Sequence, residues 1–522
     1  MPIRMTDDPR DPNQRDYNDD RGGGGGGQSG LPGGGLGALL PLLLGLFKGK
    51  GIIFLLVIAA GAYFLLGKSD GCNLSQITQT LFSQSGYSFD PNEFNKASVY
   101  EGLEDDNAKN PLPESVSLLK YAPARSDQGQ QGSCVAWSCA YAAQTILTAA
   151  ARGDDPNQIV FSPSYLYNQI KLEGCQGSYL QRAMEAMRAN GGVALREYPY
   201  DDSNCDRMPT SSDVNRGKQN TIHGFSRLTQ GDNINKISIR AIKEHLAKDA
   251  PVAIGMMVGQ SFMQNMMGQE LWQPSGMDAS QVGMGGHAMC VIGYDDRKFG
   301  GAFQIMNSWG PQWGKDGVAW VRYGDFQNYV REAYGIDPLP KSSEVANKLL
   351  SAKIGLVRND NKQYIRLQSA GGNNFETVEP ISAGTRFKME INNETPCYVY
   401  IFSREADGSS FTLFPYNNKH YPYCGITGYR LFPKEQSMEA DTIGNRDYIA
   451  VVVSRDELPY EQINNAISTA SGNTYAEKVN NALQSISIRS ARYNSLPDGR
   501  MDFKVNANDN KAVVAIVAFD KQ

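Results

Sequence analysis

Three short stretches carry residues able to do nucleophilic chemistry. The first is Asp127-Gln128-Gly129-Gln130-Gln131-Gly132-Ser133-Cys134, a polar loop ending in a thiol. The second is Gly285-Gly286-His287-Ala288, a histidine entering an apolar run after a glycine turn. The third is Asn307-Ser308-Trp309-Gly310-Pro311-Gln312-Trp313-Gly314, directly after the apolar Ala302 to Met306. Most lone cysteines are small core residues, so the thiol decides nothing by itself. A thiol, an imidazole and a carboxamide at the ends of regular elements are what thiol acyl transfer requires: nucleophile, base and orienter. Gln128, six residues before the thiol, can offer an amide N–H to an oxyanion together with the Cys134 backbone N–H.

These groups need rigid elements to hold them. From Cys134 onward the sequence is alanine-rich and apolar at helical spacing, which predicts a buried helix with the thiol on its first turn. The positive end of such a helix favours a thiolate. Phe161 to Leu172 reads as a second helix with Ser162-Pro163 at its start. Tyr179 to Ala189 reads as a third, ended by Asn190-Gly191-Gly192. Val252 to Met257, Ala288 to Tyr294, Ala302 to Met306 and Val318 to Tyr323 read as strands. A helical half is thus followed by a β half, and the thiol and the imidazole come from different halves.

The three stretches resemble those around the active site of the papain family of cysteine peptidases. The resemblance covers about Leu112 to Pro340 and implies an α+β, two-lobed fold with a helical lobe and a β lobe. It implies Cys134 as nucleophile, His287 as general base, Asn307 as its orienter and Gln128 as oxyanion donor. Trp309 would cover the Asn–His hydrogen bond, and Trp313 would pack on the leaving-group side. Gly177, Ser178 and Ala288 would line the substrate cleft. Departures exist: Val135 and Gln131 replace a tryptophan and a disulfide cysteine of plant and lysosomal members. Gly286 precedes the histidine where papain has an acid, and Ser178 replaces a backbone-binding glycine. The run Leu112-Pro113 to Gln130 is closer to bacterial members. Cys175 and Cys205 fall where papain uses two different disulfides, with Gln131 and Gln169 at the partner positions. They either pair with each other or remain free thiols. The implied activity is peptide-bond hydrolysis by an endopeptidase on protein or peptide substrates. The alternatives are a thiol acyltransferase or peptidoglycan amidase on the same scaffold, or an inactive peptidase-like binding protein. No metal and no organic cofactor is expected.

The chain of 522 residues is long enough for two or three domains, and 41% apolar content supports packed cores. A net charge of −5 argues against a nucleic-acid partner, and 4 histidines argue against a histidine-rich metal site. Residues 1–50 begin polar and then glycine-rich, and are expected to be disordered and cytoplasmic. Gly51 to Gly67 is uncharged and apolar. It spans roughly 25 Å as a helix, against a hydrocarbon core of about 30 Å. It reads as a single transmembrane anchor. Lys48 and Lys50 on its N-terminal side place the catalytic part outside the cytoplasm, in a periplasm or on a cell surface. Residues 68–111 read as a tether, with an acidic patch at Glu101, Glu104, Asp105 and Asp106; the alternative is a gating role like that of the inhibitory pro-segments found in papain relatives, for which the stretch is short and shows no clear match.

Residues 341–522 read as a β-sandwich-like accessory domain. Arg386 to Ile391 alternates as a half-buried strand does. Tyr398 to Phe402, Asp407-Gly408 and Phe411 to Pro415 spell a hairpin. Tyr448 to Val453 and Ala512 to Phe519 add strands, and Glu457 to Ile467 and Tyr475 to Ile486 add helices. This domain is a candidate surface for an unidentified partner.

Overall fold

A computed structural model of the chain describes residues 3–8, 86–276, 278, 281, 284–341 and 348–522. The anchor expected at 51–67 and the glycine-rich stretch before it lie outside the described residues.

The helix that starts at Cys134 runs to Arg152 and is the spine of the first domain. Its middle, Trp137–Gln144, is wound as a π-helix, with every side chain buried. Small residues let it approach its neighbours closely: the Ser138 hydroxyl donates to the Met289 carbonyl at 2.6 Å, tying the helix to a strand. Among the described residues this helix alone is long and apolar enough to cross a membrane, but it is buried as a core helix. Pro163–Ile170 follows, with Pro163 in its first turn and Ser162 accepting from the Tyr165 N–H. Leu180–Asn190 ends at Gly191. These helices form one lobe.

The second lobe is a seven-stranded sheet. Its path runs Phe225–Arg227, Val330–Ile336, Val252–Val258, Gly285–Asp295, Ala302–Met306, Val318–Arg322, all antiparallel. Ser115–Ser117 adds to Gly285–Asp295. The four strands expected from the sequence are present at nearly their expected bounds. Phe225–Arg227 and Val330–Ile336 were not expected: the first is short, and the second is interrupted by Arg331 and Glu332.

The C-terminal region is a sandwich. One sheet runs Ile3–Asp7, Gln436–Ala440, Arg386–Asn393, Leu349–Arg358, Met501–Asn506, Tyr493–Ser495. The other runs Leu367–Gly371, Asn374–Thr377, Ala512–Asp520, Arg446–Ser454, Cys397–Arg404, Ser410–Phe414. The expected hairpin is the last pair, in antiparallel register from Arg404↔Ser410 to Ile401↔Phe414. In Arg446–Ser454, Ile449, Val451 and Val453 face the sandwich core, whereas Ala450 and Val452 face the other way. That outer face is covered by the helices Tyr460–Thr469 and Tyr475–Ala482. Burial on both faces explains why these strands read as unbroken apolar runs.

Two expectations need correction. Residues 1–50 do not begin as free chain: Ile3–Asp7 pairs with Gln436–Ala440, and Ile3 is fully buried. Nor do residues 68–111 behave as a tether from 86 onward. Arg227 N–H donates to the Ser98 carbonyl, and Val99 and Tyr100 N–H donate to the Lys419 and Arg227 carbonyls. Arg430 Nε donates to the Glu101 carbonyl at 3.0 Å, Leu103 N–H donates to Glu244 at 3.1 Å, and Arg240 pairs with Asp105 at 2.6 Å. The stretch is a strap stitched to both domains. Of its acids, Glu101 accepts the Tyr416 hydroxyl and Asp105 pairs with Arg240, both partners far away in sequence, whereas the Asp106 carboxylate accepts the nearby Ala108 and Lys109 N–H groups.

Candidate active site

Cys134 is the first residue of its helix, with Ser133 at the cap. Its sulfur is fully buried and accepts the Ala288 N–H at 3.4 Å. The strand Gly285–Asp295 therefore places His287 beside the thiol, across the junction of the two lobes. His287 Nε2 meets Asn307 Oδ1 at 2.6 Å. An amide oxygen only accepts, so Nε2 carries the proton and Nδ1 is left as the basic nitrogen. Asn307 Oδ1 also accepts the Ser308 N–H at 2.8 Å, which fixes the carboxamide with its oxygen toward the imidazole. The Trp309 ring lies on the imidazole, centroids 4.3 Å apart and planes 24° apart. Phe262 and Trp313 back the Trp309 ring, and Trp313 Nε1 donates to the Phe262 carbonyl at 2.9 Å.

Gln128 is held from three sides. Its N–H donates to the Ser308 carbonyl at 2.8 Å, and its Oε1 accepts the Ser308 hydroxyl at 2.6 Å. Its Nε2 donates to the Gln131 carbonyl at 2.9 Å. One Nε2 hydrogen is thereby left for a ligand. Ser308 stood inside the Asn-Ser-Trp stretch with no role assigned. It orients both amides, accepting nothing from the reacting atoms itself.

The residues expected to line the cleft are present but covered. Ser178 N–H donates to the Gly86 carbonyl at 3.2 Å, and the Ser178 carbonyl accepts the Ser88 N–H at 3.0 Å. The strap thus binds this backbone edge as an added strand. The Ser178 hydroxyl turns away to the Ile170 carbonyl at 2.9 Å, so the side chain that departs from glycine does not enter the cleft. Gly177 touches Gly86 so closely that a Cβ would come within 2.9 Å of the Gly86 oxygen. Between Ser178 and the β lobe, Tyr87 inserts its ring. A Cβ on Gly255 would lie 2.1 Å from Tyr87 Cζ, so the missing side chain is what makes room. The Tyr87 hydroxyl faces the Glu332 carboxyl group yet completes no hydrogen bond, while the Tyr334 hydroxyl donates to Glu332 at 3.0 Å.

Burial sets the protonation states. It pushes the Cys134 thiol up to about 12, against the opposing pull of the Ala288 and Val135 N–H groups. It pushes His287 down to about 4, against the bond to Asn307. Thiol and imidazole are both neutral in this closed form. Burial likewise raises Glu332 to about 7. Tyr87 and Glu332 were not singled out in the sequence. A lone acid within the apolar strand Val330–Ile336 is the one signal that pointed to the second.

Cys175 and Cys205 are joined in a disulfide, so of the two alternatives the pairing between them is the one found.

A sequence model described as papain family cysteine protease matches residues 113–336. Cathepsin K of Mus musculus is 27% identical over 214 residues, covering 40% of this chain and 59% of its own length. Cathepsin L2 of Homo sapiens is 28% identical over 221 residues, covering 40% of this chain and 59% of its own length. The chain thus spans less than two thirds of these curated relatives. The crystal structure of xylellain, a cysteine protease from Xylella fastidiosa, aligns with a TM-score of 0.41 at 24% identity. That alignment covers 49% of this chain and 97% of the other.

Proposed function

We propose, from the premise that residues 113–336 are a papain-family cysteine protease domain, that the protein is a latent endopeptidase cleaving peptide bonds through the Cys134 thiol. The observation that carries this reading is that the Ala288 N–H reaches the Cys134 sulfur at 3.4 Å while the preceding residue, His287, has its Nε2 proton committed to Asn307 at 2.6 Å. Nδ1 is then free to take the thiol proton. The thiolate attacks the scissile carbonyl carbon. The developing oxyanion is received by the Cys134 N–H and the free Nε2 hydrogen of Gln128. The imidazolium returns its proton to the leaving amine, and the thioester that remains is opened by water, His287 now acting as base. Replacing Cys134 with Ala is expected to abolish hydrolysis of a denatured protein substrate. Full retention of hydrolysis in that variant would sink the reading.

Latency follows from the strap. Gly86 to Ser88 occupies the backbone edge at Ser178, and the Tyr87 ring fills the space between the lobes. With water excluded, the thiol and imidazole stay neutral. Displacing Tyr87 restores solvent to both groups, which favours the thiolate–imidazolium pair that attack requires.

Attachment to a membrane through Gly51 to Gly67, with the protease outside the cytoplasm, is part of the proposal and is supported by the uncharged apolar run. The pairing of Ile3–Asp7 with Gln436–Ala440 counts against a single crossing, because both strands must lie on one side of a bilayer. Cysteine-accessibility mapping at Thr6 and at an exposed position such as Lys419 decides between them. A single crossing requires labelling on opposite sides.

A further inference from the structure

We propose that a second site, a cavity of about 560 Å³ where the protease and the sandwich meet, binds an arginine or lysine side chain of a polypeptide. Its lining includes His223 from the protease and Tyr398, Tyr421, Glu457, Tyr460 and Glu461 from the sandwich. Ser98 of the strap also contributes.

The polar ends of Tyr398, Tyr421 and His223 are already spent. The Tyr421 hydroxyl donates to Asp337 Oδ2 at 3.0 Å, and His223 Nδ1 lies 2.9 Å from the same oxygen. With Nδ1 donating to the carboxylate, His223 Nε2 accepts, and the Tyr398 hydroxyl donates to it at 3.4 Å. Tyr423 packs against both rings, 4.2 Å from His223 and 4.9 Å from Tyr398 between centroids. The aromatic wall is therefore built and locked without a ligand. What it offers is ring surface, made more electron-rich where a phenol donates to a carboxylate. Electron-rich ring faces attract cations.

The charges point the same way. Glu457 and Glu461 are exposed on the lining, and neither forms an ion pair among the described residues. Arg188, the one guanidinium on the lining, is paired with Glu185 at 2.6 Å. The site thus has two unneutralised carboxylates beside a tyrosine-rich wall and wants a cation on an apolar stem. Arginine and lysine supply both: the stem lies along ring surface while the charged head meets the carboxylates. The two carboxylates disfavour an anionic ligand, although His420 also stands on the lining.

The test uses the full chain and isothermal titration with Nα-acetyl-arginine methylamide. The neutral isostere Nα-acetyl-citrulline methylamide and free spermidine are the comparison probes. The arginine probe is expected to bind at least tenfold more tightly than the citrulline probe. Glu457→Gln combined with Glu461→Gln is expected to weaken it at least tenfold, and Tyr460→Ala several-fold. Cys134→Ala and Glu332→Gln are expected to leave it unchanged, which separates this site from the cleft and from the proposed hydrolysis. Equal binding of the citrulline probe, or unchanged binding in the double variant, overturns the proposal. Tighter binding of spermidine than of the arginine probe overturns the assignment to a polypeptide.

Discussion

Replacing Tyr87 with alanine is expected to unlock the thiol. Tyr87 is 2% exposed, so its ring is almost wholly removed from water in the closed form. Burying an aromatic side chain of this size contributes about 3 kcal/mol. Its hydroxyl is buried without a hydrogen-bond partner, which costs about 1 kcal/mol. The net contribution to closure is then about 2 kcal/mol, and its loss raises the open fraction about 30-fold. The assay is the second-order rate of Cys134 alkylation by an epoxide thiol inhibitor, with mass spectrometry to confirm the site and His287→Ala as the unactivated reference. Tyr87→Phe keeps the ring and deletes the unpaired hydroxyl, so it should label as slowly as the wild type or more slowly. Gly86→Ala forces a Cβ to within 2.5 Å of the Gly132 carbonyl carbon and should open the cleft by an independent route. Equal labelling of wild type and Tyr87→Ala, both fast, would refute the covering role of the strap. Tyr87→Phe labelling as fast as Tyr87→Ala would refute the energetic reasoning.

Ser308→Ala should lower kcat about tenfold with little change in KM, because it releases the Gln128 carboxamide that the Ser308 hydroxyl holds at 2.6 Å; steady-state kinetics on the Tyr87→Ala background reads this. Glu332 has a raised value in the fold, so its contribution to stability is fully present below its ordinary value near 4.5 and is lost as pH rises through about 7. Thermal unfolding of the wild type should therefore weaken between pH 5 and about 8 relative to Glu332→Gln, whose profile lacks this decline. His287, lowered to about 4, acts in the opposite sense: its contribution is present above its ordinary value and fades as pH falls toward 4. Removing the disulfide with Cys175→Ser and Cys205→Ser opens a loop of sequence separation 30 and should cost about 3 kcal/mol, seen as a lower urea midpoint.

Much of the scaffold was written locally. Alanine and apolar spacing after Cys134 dictates a buried helix whatever surrounds it, and the strands Ala302–Met306 and Val318–Arg322 carry enough continuous apolar surface to announce themselves. The hairpin of Cys397–Arg404 and Ser410–Phe414 follows from two apolar runs joined at Asp407-Gly408. The Cys, His, Asn and Gln set was legible because each member sits in a distinctive local setting. Which atoms face each other is a different matter. The His287 nitrogen that carries the proton is decided by Asn307, and the Gln128 amide is aimed by Ser308, at sequence separations of 20 and 180. The strap was the largest surprise. Gly86 to Asn110 has no helical or alternating pattern long enough to read, and its acids suggest water. It is ordered by groups it does not contain: Arg227, Glu244, Lys419 and Arg430 supply the partners for its backbone. Tyr87 enters the cleft because Gly255 leaves room there, not because of anything in its own neighbourhood. Local propensity is a property of a few adjacent residues and can be read in order along the chain. Docking of an irregular segment is a property of the surface that receives it, and that surface exists only once distant strands have paired.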